Sequence, residues 1–344
     1  MTDSIRASFF RQATHCETMG SPLTARVLRM LGAHLPSGPV ADRVLGWQGD
    51  ATSFGDAVAL RLAAGLHALV LSGTDAQLSA AYANPHIAES DFRTALREAF
   101  ANHAPHLLLW LDNPPQTNEV RRSAALIAAG HWLSQRFDGP LVLSELGASA
   151  GLNLLWDRYA LDLPGATFGP PNARVRLAPD WTGPLPPRTR PRVAARAGVD
   201  LNPLDPAKDR LRLLSYIWAG QADRLSRTVA AAEEAANFPG LVDRADAVDW
   251  LKTRLTKRIP GHLHLIFHTI AWQYFPASAQ LRGDALLAEA GARATHDAPL
   301  ARVSMEADDQ SPGAALSVTL WPGGETTTLG RVDFHGRWVD WQAG

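Results

Sequence analysis

Several features that would narrow the function are scarce in this sequence. Only one of its 344 residues, Cys16, is a cysteine, which excludes an internal disulfide framework and a metal site built from several cysteines. Lysine and arginine number 33 against 34 aspartates and glutamates, so the formal net charge is −1. A chain without a basic excess has no electrostatic footprint for nucleic acid or for an anionic membrane surface. We therefore expect a small-molecule substrate and no metal ion.

Long apolar stretches are also missing. No apolar run reaches the length of about 18 residues that a transmembrane helix needs. The first eleven residues are of mixed polarity and lack the apolar core of a signal peptide. Hydrophobic residues make up 46% and charged residues 19%, a composition typical of globular proteins. These observations predict a cytoplasmic protein of one large or two ordinary domains.

The order of periodic segments predicts two domains. Apolar residues recur at helical spacing in segments such as 23–31 and 58–70, which predicts an N-terminal helical domain over residues 1–112. Residues 113–344 alternate strand-like runs with amphipathic segments, the order of an α/β domain. A section rich in proline and glycine, at about 160–192, is predicted to be an insertion and a possible lid.

One stretch organises the second domain. The apolar run 141–143 is followed by Ser144 and Glu145. Small residues bracketed by Gly147 and Gly151 come next, and an amphipathic run begins at residue 152. This pattern predicts a buried strand, a tight turn and a helix. Gly147 can adopt backbone angles closed to other residues, and Gly151 permits close approach of a ligand. We expect the turn to present free backbone N–H groups to an anionic group.

Two classes of cofactor fit such a turn. A dinucleotide prefers the pattern G-x-G-x-x-G, and the spacing of Gly147 and Gly151 does not meet it. This mismatch disfavours an NAD-dependent oxidoreductase, which we keep as an alternative. S-adenosylmethionine carries a carboxylate for the N–H groups and an ammonium for Glu145. The stretch resembles motif I of class I methyltransferases, Glu-x-Gly-x-Gly-x-Gly, with Ser149 in place of the middle glycine.

Two later acids follow further strand-like runs. The resemblance to methyltransferases implies that Asp200 holds the ribose hydroxyls and that Asp246 accepts from the adenine amino group, with Asp243 as a rival. Asp200 lies more than the usual 20 residues or so beyond the glycine turn, so the insertion must be looped out. Each acid also has a structural alternative: Asp200 as an Asx-turn residue and Asp246 as a helix N-cap.

A polar and aromatic group follows the next predicted strand, residues 262–267. Ligands of doubly wound sheets bind beyond the carboxyl ends of the strands. We predict His268 as a general base, since its unperturbed pKa of about 6.5 suits proton uptake near neutrality. Trp272 and Tyr274 would wall the methyl acceptor, and Gln273 would orient it. The alternative is a histidine that hydrogen-bonds at the strand end, with both rings in the core.

Polar residues also gather where a helix is predicted to start, after two prolines. Gln116, Asn118, Glu119 and Arg122 are predicted to belong to a loop that closes over the site and contacts the substrate. The alternative is a surface helix capped by Thr117 or Asn118.

Six stretches spread along the chain carry a specific resemblance: 116–120, 145–154, 200–205, 212–216, 268–274 and 320–324. With them the whole chain resembles an uncharacterised bacterial family of the domain-of-unknown-function type, family 2332. That family carries no established activity. Together with the methyltransferase resemblance it implies a Rossmann-like, seven-stranded mixed sheet with an N-terminal helical domain, and an S-adenosylmethionine-dependent methyltransferase of a small molecule. A non-catalytic Rossmann-like cofactor-binding or regulatory protein is the alternative. The matching stretches are Gln-Thr-Asn-Glu-Val (116–120), Glu-Leu-Gly-Ala-Ser-Ala-Gly-Leu-Asn-Leu (145–154), Asp-Leu-Asn-Pro-Leu-Asp (200–205), Arg-Leu-Leu-Ser-Tyr (212–216), His-x-x-x-Trp-Gln-Tyr (268–274) and Leu-Trp-Pro-Gly-Gly (320–324).

Overall fold

The computed structural model describes residues 2–116 and 118–344. Thr117, a predicted helix cap, lies outside these described residues. The α-helices are α1 (Thr2–Thr18), α2 (Pro22–Ala33), α3 (Pro39–Leu45), α4 (Val58–Leu71), α5 (Ala76–Ala83), α6 (Glu89–Asn102), α7 (Ala104–Leu111), α8 (Ser123–Arg136), α9 (Arg210–Ser215), α10 (Ala222–Ala235), α11 (Ala247–Arg254) and α12 (Ala277–Ala292).

Short 3-10 helices and β-strands make up the rest of the regular structure. The 3-10 helices span Val120–Arg122, Leu152–Arg158 and Trp272–Tyr274. The strands are β1 (Leu141–Leu146), β2 (Ala160–Leu163), β3 (Ala166–Phe168), β4 (Arg176–Leu177), β5 (Asp180–Thr182), β6 (Val193–Asp200), β7 (Val242–Arg244), β8 (Leu263–Thr269), β9 (Leu300–Glu306), β10 (Ala314–Trp321), β11 (Glu325–Val332) and β12 (Trp338–Trp341). Among the described helices, none is long and apolar enough to cross a membrane.

The chain divides into two compact units. The first consists of Met1–Thr117 and Asp209–Val229, and the second of Asn118–Lys208 and Ala230–Gly344. The sequence placed 209–229 in the second domain and the boundary near residue 112. Periodicity identifies a helix, but it does not reveal which core the helix packs against.

The regular elements described in the first unit are all helices, packed around buried residues such as Leu28, Leu62 and Phe92. Hydrogen bonds attach α9 to this unit: Trp110 Nε1 donates to Ser215 Oγ at 3.2 Å. The hydroxyl of Tyr216, the residue after α9, donates to the Asn113 carbonyl at 3.0 Å. These bonds explain why the later segment belongs with the N-terminal helices.

A nine-stranded mixed sheet dominates the second unit. Within the described residues its order is β5-β12-β11-β10-β9-β8-β1-β6-β7. The strands from β7 through β6, β1 and β8 to β9 pair parallel with one another, whereas β10 pairs antiparallel with both β9 and β11. All six residues of β1 are buried, as expected for a parallel strand covered on both faces. The chain is therefore an α/β protein with a large mixed sheet.

The number of strands corrects the expected seven. Two short strands, β12 and β5, extend the antiparallel edge, and they pair parallel to each other. β5 comes from the predicted insertion, whose remaining strands β2, β3 and β4 form a separate three-stranded sheet. A three-residue strand has too little sequence for a periodic signal, so its pairing follows from long-range register alone.

Candidate functional site

Glu145 lies near the end of the central strand β1. The residue is 2% exposed, and within the described part of the chain its Oε2 atom is buried without a hydrogen-bond partner. Burial raises the pKa of its carboxyl well above the ordinary value, the negative charge of Asp200 raises it further, and the Arg122 guanidinium opposes both. A buried carboxylate oxygen that lacks a donor is unfavourable, so this atom is suited to receive a ligand's donor or cation.

The turn after β1 has left-handed backbone at three positions. Gly147 and Gly151 both have φ of +72° and Ser149 has φ of +51°. Glycine adopts this region without strain, whereas a residue with a Cβ atom does not. Ser149 therefore occupies, at some cost, the conformation that a middle glycine would adopt freely. Its hydroxyl oxygen is buried and has no hydrogen-bond partner among the described residues.

The backbone N–H groups of this turn are mostly engaged by the protein itself. Those of Gly147 and Ala148 donate to the Val199 carbonyl at 2.9 and 3.0 Å. The N–H of Gly151 donates to the Ala148 carbonyl at 2.7 Å. The expectation that these groups are free for a ligand's carboxylate is therefore wrong for the three of them. Sequence could not reveal that two of these N–H groups are occupied, because their acceptor, the Val199 carbonyl on β6, comes close only when the sheet forms.

The segment after the turn also differs from the expected α-helix. Leu152–Arg158 is a 3-10 helix with non-helical angles at Leu155. A Cβ atom added to Gly151 would lie 2.9 Å from Val242 Cγ2. Gly151 thus permits close packing against β7.

Asp200 is the last residue of β6 and lies beside the turn. Its Oδ2 accepts from the N–H of Ser149 at 2.9 Å, and its Oδ1 accepts from the N–H of Asn202 at 2.8 Å. The Asx-turn alternative is thus present. Each carboxylate oxygen has a further lone pair, so these bonds are compatible with a second role in binding hydroxyl groups.

Asp246 caps α11. Its Oδ1 accepts from the N–H groups of Val248 and Asp249, both at 3.0 Å. The rival, Asp243, accepts from Trp250 Nε1 at 2.7 Å through Oδ2. The N-cap alternative therefore describes Asp246, and its contact with adenine stays a prediction.

The polar segment before α8 joins two parts of this sheet edge. Asn118 is buried, and its Oδ1 accepts from the N–H of Leu152 at 2.9 Å. Arg122 Nη1 donates to the carbonyl of Thr269, at the end of β8, at 2.9 Å. Glu119 is buried and accepts from the N–H of Arg121 at 3.1 Å. Gln116 belongs to the first unit and is half-buried.

His268 lies within β8 and its ring is fully buried. Nδ1 is 2.7 Å from Glu306 Oε1, and Arg302 Nε donates to Nε2 at 3.0 Å. Burial lowers the pKa of His268, although the hydrogen bond with Glu306 acts in the opposite direction. The arrangement is that of a neutral imidazole donating from Nδ1 and accepting at Nε2. Because both nitrogens are occupied, the geometry does not support the prediction that His268 is a general base.

Glu306, at the end of β9, is a residue that the sequence reasoning missed. It accepts from the N–H groups of Ala271, Trp272 and Gln273 at 3.1, 3.1 and 3.3 Å. Burial raises the pKa of Glu306, but the hydrogen bonds from His268 and the backbone outweigh it, so the pKa lies below its ordinary value. An acid at a strand's carboxyl end was the available signal.

The three residues predicted to contact the methyl acceptor have different environments. Trp272 is 7% exposed and its ring stacks on His268 at 5.2 Å between centroids, so it belongs to the core. Gln273 Oε1 accepts from the N–H of Ala307 at 2.9 Å. Tyr274 is 74% exposed. Of the three side chains, only that of Tyr274 is largely open to a ligand.

The loop after β8 is in contact with the turn after β1. A Cβ atom on Gly147 would lie 2.6 Å from Ala271 Cβ. Ile270, just before, has φ of +51°, a strained conformation for a β-branched residue. The carboxyl ends of β1, β6 and β8 thus bring together Glu145, the glycine turn, Asp200 and this loop. Across the described residues, no group of three or more His, Cys, Asp or Glu side chains could hold a metal ion.

Comparison with known proteins identifies one family. The model of a family described as uncharacterised proteins conserved in bacteria, domain of unknown function 2332, matches residues 6–341. No curated protein and no solved structure matches the chain.

Proposed function

The chain belongs to this bacterial family, and we propose that it binds S-adenosylmethionine and transfers the methyl group to a small molecule. The proposal rests first on the sheet. Its parallel part, β7-β6-β1-β8-β9, is followed by antiparallel β10, which supports a Rossmann-like, methyltransferase-like topology. The connections from β1 lead to β6 on one side, and β8 lies on the other. Ligands of open α/β sheets bind at such a switch point, beyond the carboxyl ends of the strands.

The observation that carries the proposal is the unpartnered Oε2 of Glu145. A cation placed there would supply the missing donor and favour the ionised carboxylate. The ammonium of S-adenosylmethionine is such a group. With Asp200 nearby the site is acidic, which disfavours the pyrophosphate of a dinucleotide and hence the NAD-dependent alternative.

The other residues are assigned roles by what they contact. Asp200 would accept from the ribose hydroxyls, and the Ser149 hydroxyl would form a further hydrogen bond. Asp246 would contact adenine from its position as the cap of α11. The cofactor, when bound, supplies an activated methyl group, and the protein's contribution is alignment, worth about 7–11 kcal/mol in favourable cases. Tyr274 would contact the acceptor, while His268 and Trp272 support its loop.

Calorimetric titration with S-adenosylhomocysteine tests this proposal. We expect saturable binding that Glu145→Gln weakens about tenfold or more, equivalent to about 1.4 kcal/mol, without lowering the melting temperature. The matched control is Glu289→Gln on the exposed pair with Arg293, which should bind like the wild type. Absence of binding at millimolar ligand, or equal binding by Glu145→Gln, would contradict it.

A non-catalytic cofactor-binding role is the second candidate, and two observations favour it. The contact between Gly147 and Ala271 narrows the space next to the turn, and His268 has no free ring nitrogen. Incubation with methyl-labelled S-adenosylmethionine and a bacterial small-molecule extract separates the two. Transfer of label supports the enzyme, and binding without transfer supports the regulatory role.

A further inference from the structure

The predicted insertion forms one side of a cleft that none of the roles above uses. The cleft has a volume of about 690 Å³ and is lined by residues of α8, of the 3-10 helix Leu152–Arg158, and of the segments 167–171 and 188–191. Ligand pockets typically enclose about 300–1,000 Å³. None of the residues assigned to the proposed cofactor site lines it, so this inference goes beyond the proposed function.

Buried aromatic side chains lie behind the surface of the cleft, whereas the exposed apolar residues of its lining are Pro170 and Pro171. The aromatic side chains include those of Trp156, Tyr159 and Phe168, and each is at most 4% exposed. The Tyr159 hydroxyl donates to the Leu152 carbonyl at 2.7 Å, so its polar atom is already satisfied. The His131 ring meets Phe168 edge-on at 5.0 Å between centroids. Rings this deeply buried offer a ligand little surface to stack on, so the apolar contacts of a ligand fall mainly on the two prolines.

Hydrogen bonds fix the opposite wall in place. Thr189 Oγ1 donates to the His131 carbonyl at 2.9 Å and lies 3.1 Å from His131 Nδ1. Burial lowers the pKa of His131 to about 4, so the ring is neutral at pH 7. The two bonds between Thr189 and His131 therefore hold this wall in place. His131 contributes no charge to the cleft at pH 7, so any charge there comes from other residues.

Two arginines make the cleft positive. Arg188 and Arg190 both line it and are exposed. Among the described residues, Arg190 has no acid within salt-bridge distance, and the contact of Arg188 is a 3.5 Å hydrogen bond to the Gly165 carbonyl. The acid of the lining, Asp157, is already paired with Arg196 through bonds of 2.6 and 3.0 Å. Two guanidinium groups thus remain for an anion, whose oxygens they can bind in a bidentate manner.

We propose that this cleft binds a small organic compound carrying a carboxylate or a phosphate ester. Pro170 and Pro171 contact the apolar body of the ligand, and Arg188 and Arg190 bind its anionic group. A carboxylate and a phosphate ester each present two oxygens that can accept the paired N–H bonds of a guanidinium group.

Calorimetry with three probes tests this inference: 1-naphthoate, 1-naphthyl phosphate and neutral 1-naphthol. We expect saturable binding of at least one anion and binding of 1-naphthol at least about tenfold weaker. The tighter anion identifies the ligand's charged group. The variant Arg188→Gln/Arg190→Gln should weaken anion binding about tenfold or more, with an unchanged melting temperature because both side chains are exposed. Arg192→Gln, on an exposed residue of the same segment outside the cleft, should bind like the wild type.

Three results would overturn the inference. They are no saturable binding of either anion at millimolar concentration, equal affinity for the neutral probe, and anion affinity in the double variant equal to that of Arg192→Gln. None depends on S-adenosylhomocysteine, so the outcome is separate from that of the proposed function.

Discussion

At the scale of single residues, Glu145 makes stability depend on pH. Its folded-state pKa lies well above the ordinary value, whereas the unfolded chain has a pKa of about 4.3. Between these two pKa values the folded state binds more protons than the unfolded state. Stability from this group is therefore fully present below the unfolded pKa and is lost as the pH rises through the folded pKa.

The variant Glu145→Gln should remove this dependence. Urea unfolding at several pH values between 4 and 8 should show a smaller fall in unfolding free energy with rising pH than the wild type shows, because glutamine does not titrate. At the upper end of this pH range the variant should be at least as stable as the wild type. Parallel curves for the two proteins would show that the carboxyl has no raised pKa.

Ser149 allows a second test at this scale. A residue with a Cβ atom in left-handed conformation costs about 1–2 kcal/mol, and a more flexible unfolded chain offsets part of the gain from glycine. We expect Ser149→Gly to raise the unfolding free energy by about 1 kcal/mol. Ser149→Ala is the control, since it removes the buried hydroxyl but keeps the strain. A glycine variant less stable than the alanine variant would contradict this account.

At the scale of elements, Glu306 fastens the loop after β8. Its carboxylate binds three successive backbone N–H groups and His268. Glu306→Gln places the side-chain NH2 group of glutamine among N–H groups that need an acceptor. It should therefore lower the unfolding free energy by about 2–4 kcal/mol in urea titrations. Glu289→Gln, on an exposed pair, should change it by less than about 0.5 kcal/mol. A Glu306 variant as stable as this control would contradict the role.

His268 belongs to the same network, which changes what its substitution should do. Its ring lies against Glu306, Arg302 and Trp272. We expect His268→Asn to lower the unfolding free energy by about 2–4 kcal/mol. A variant of normal stability that binds S-adenosylhomocysteine but lacks turnover would instead restore the histidine as a base. Thermal unfolding followed by calorimetry distinguishes these outcomes.

The local sequence pattern predicted where strands and loops occur better than it predicted which residues contact each other across them. The apolar runs identified β1, β8 and β9 and the loop that carries Tyr274. The bond between His268 and Glu306 spans 38 positions, so neither residue's neighbours in sequence point to it. The same limit applies to the N–H groups of Gly147 and Ala148, whose acceptor, Val199, is on another strand.

At the scale of the whole molecule, sequence predicted the centre of the sheet better than its edge. Buried parallel strands read as continuous apolar runs, and β1 is such a strand. The edge strands β5 and β12 span Asp180–Thr182 and Trp338–Trp341, too short for a clear period. Membership of 209–229 in the first unit depends on tertiary packing, which periodicity does not encode.

The central claim is that a ligand's ammonium binds the buried carboxylate of Glu145, and this binding must expel a proton. In the free protein the raised pKa keeps the carboxyl protonated above its ordinary range, whereas a cation stabilises the ionised form. Binding should therefore release protons at about pH 6, where the ligand's own amino group stays protonated.

Calorimetric titration of S-adenosylhomocysteine at this pH, in buffers of different ionisation enthalpy, measures that release. The account predicts a net release of protons for the wild type, and for Glu145→Gln a clearly smaller release with weaker binding. Proton uptake by the wild type, or an equal release by the variant, would contradict it.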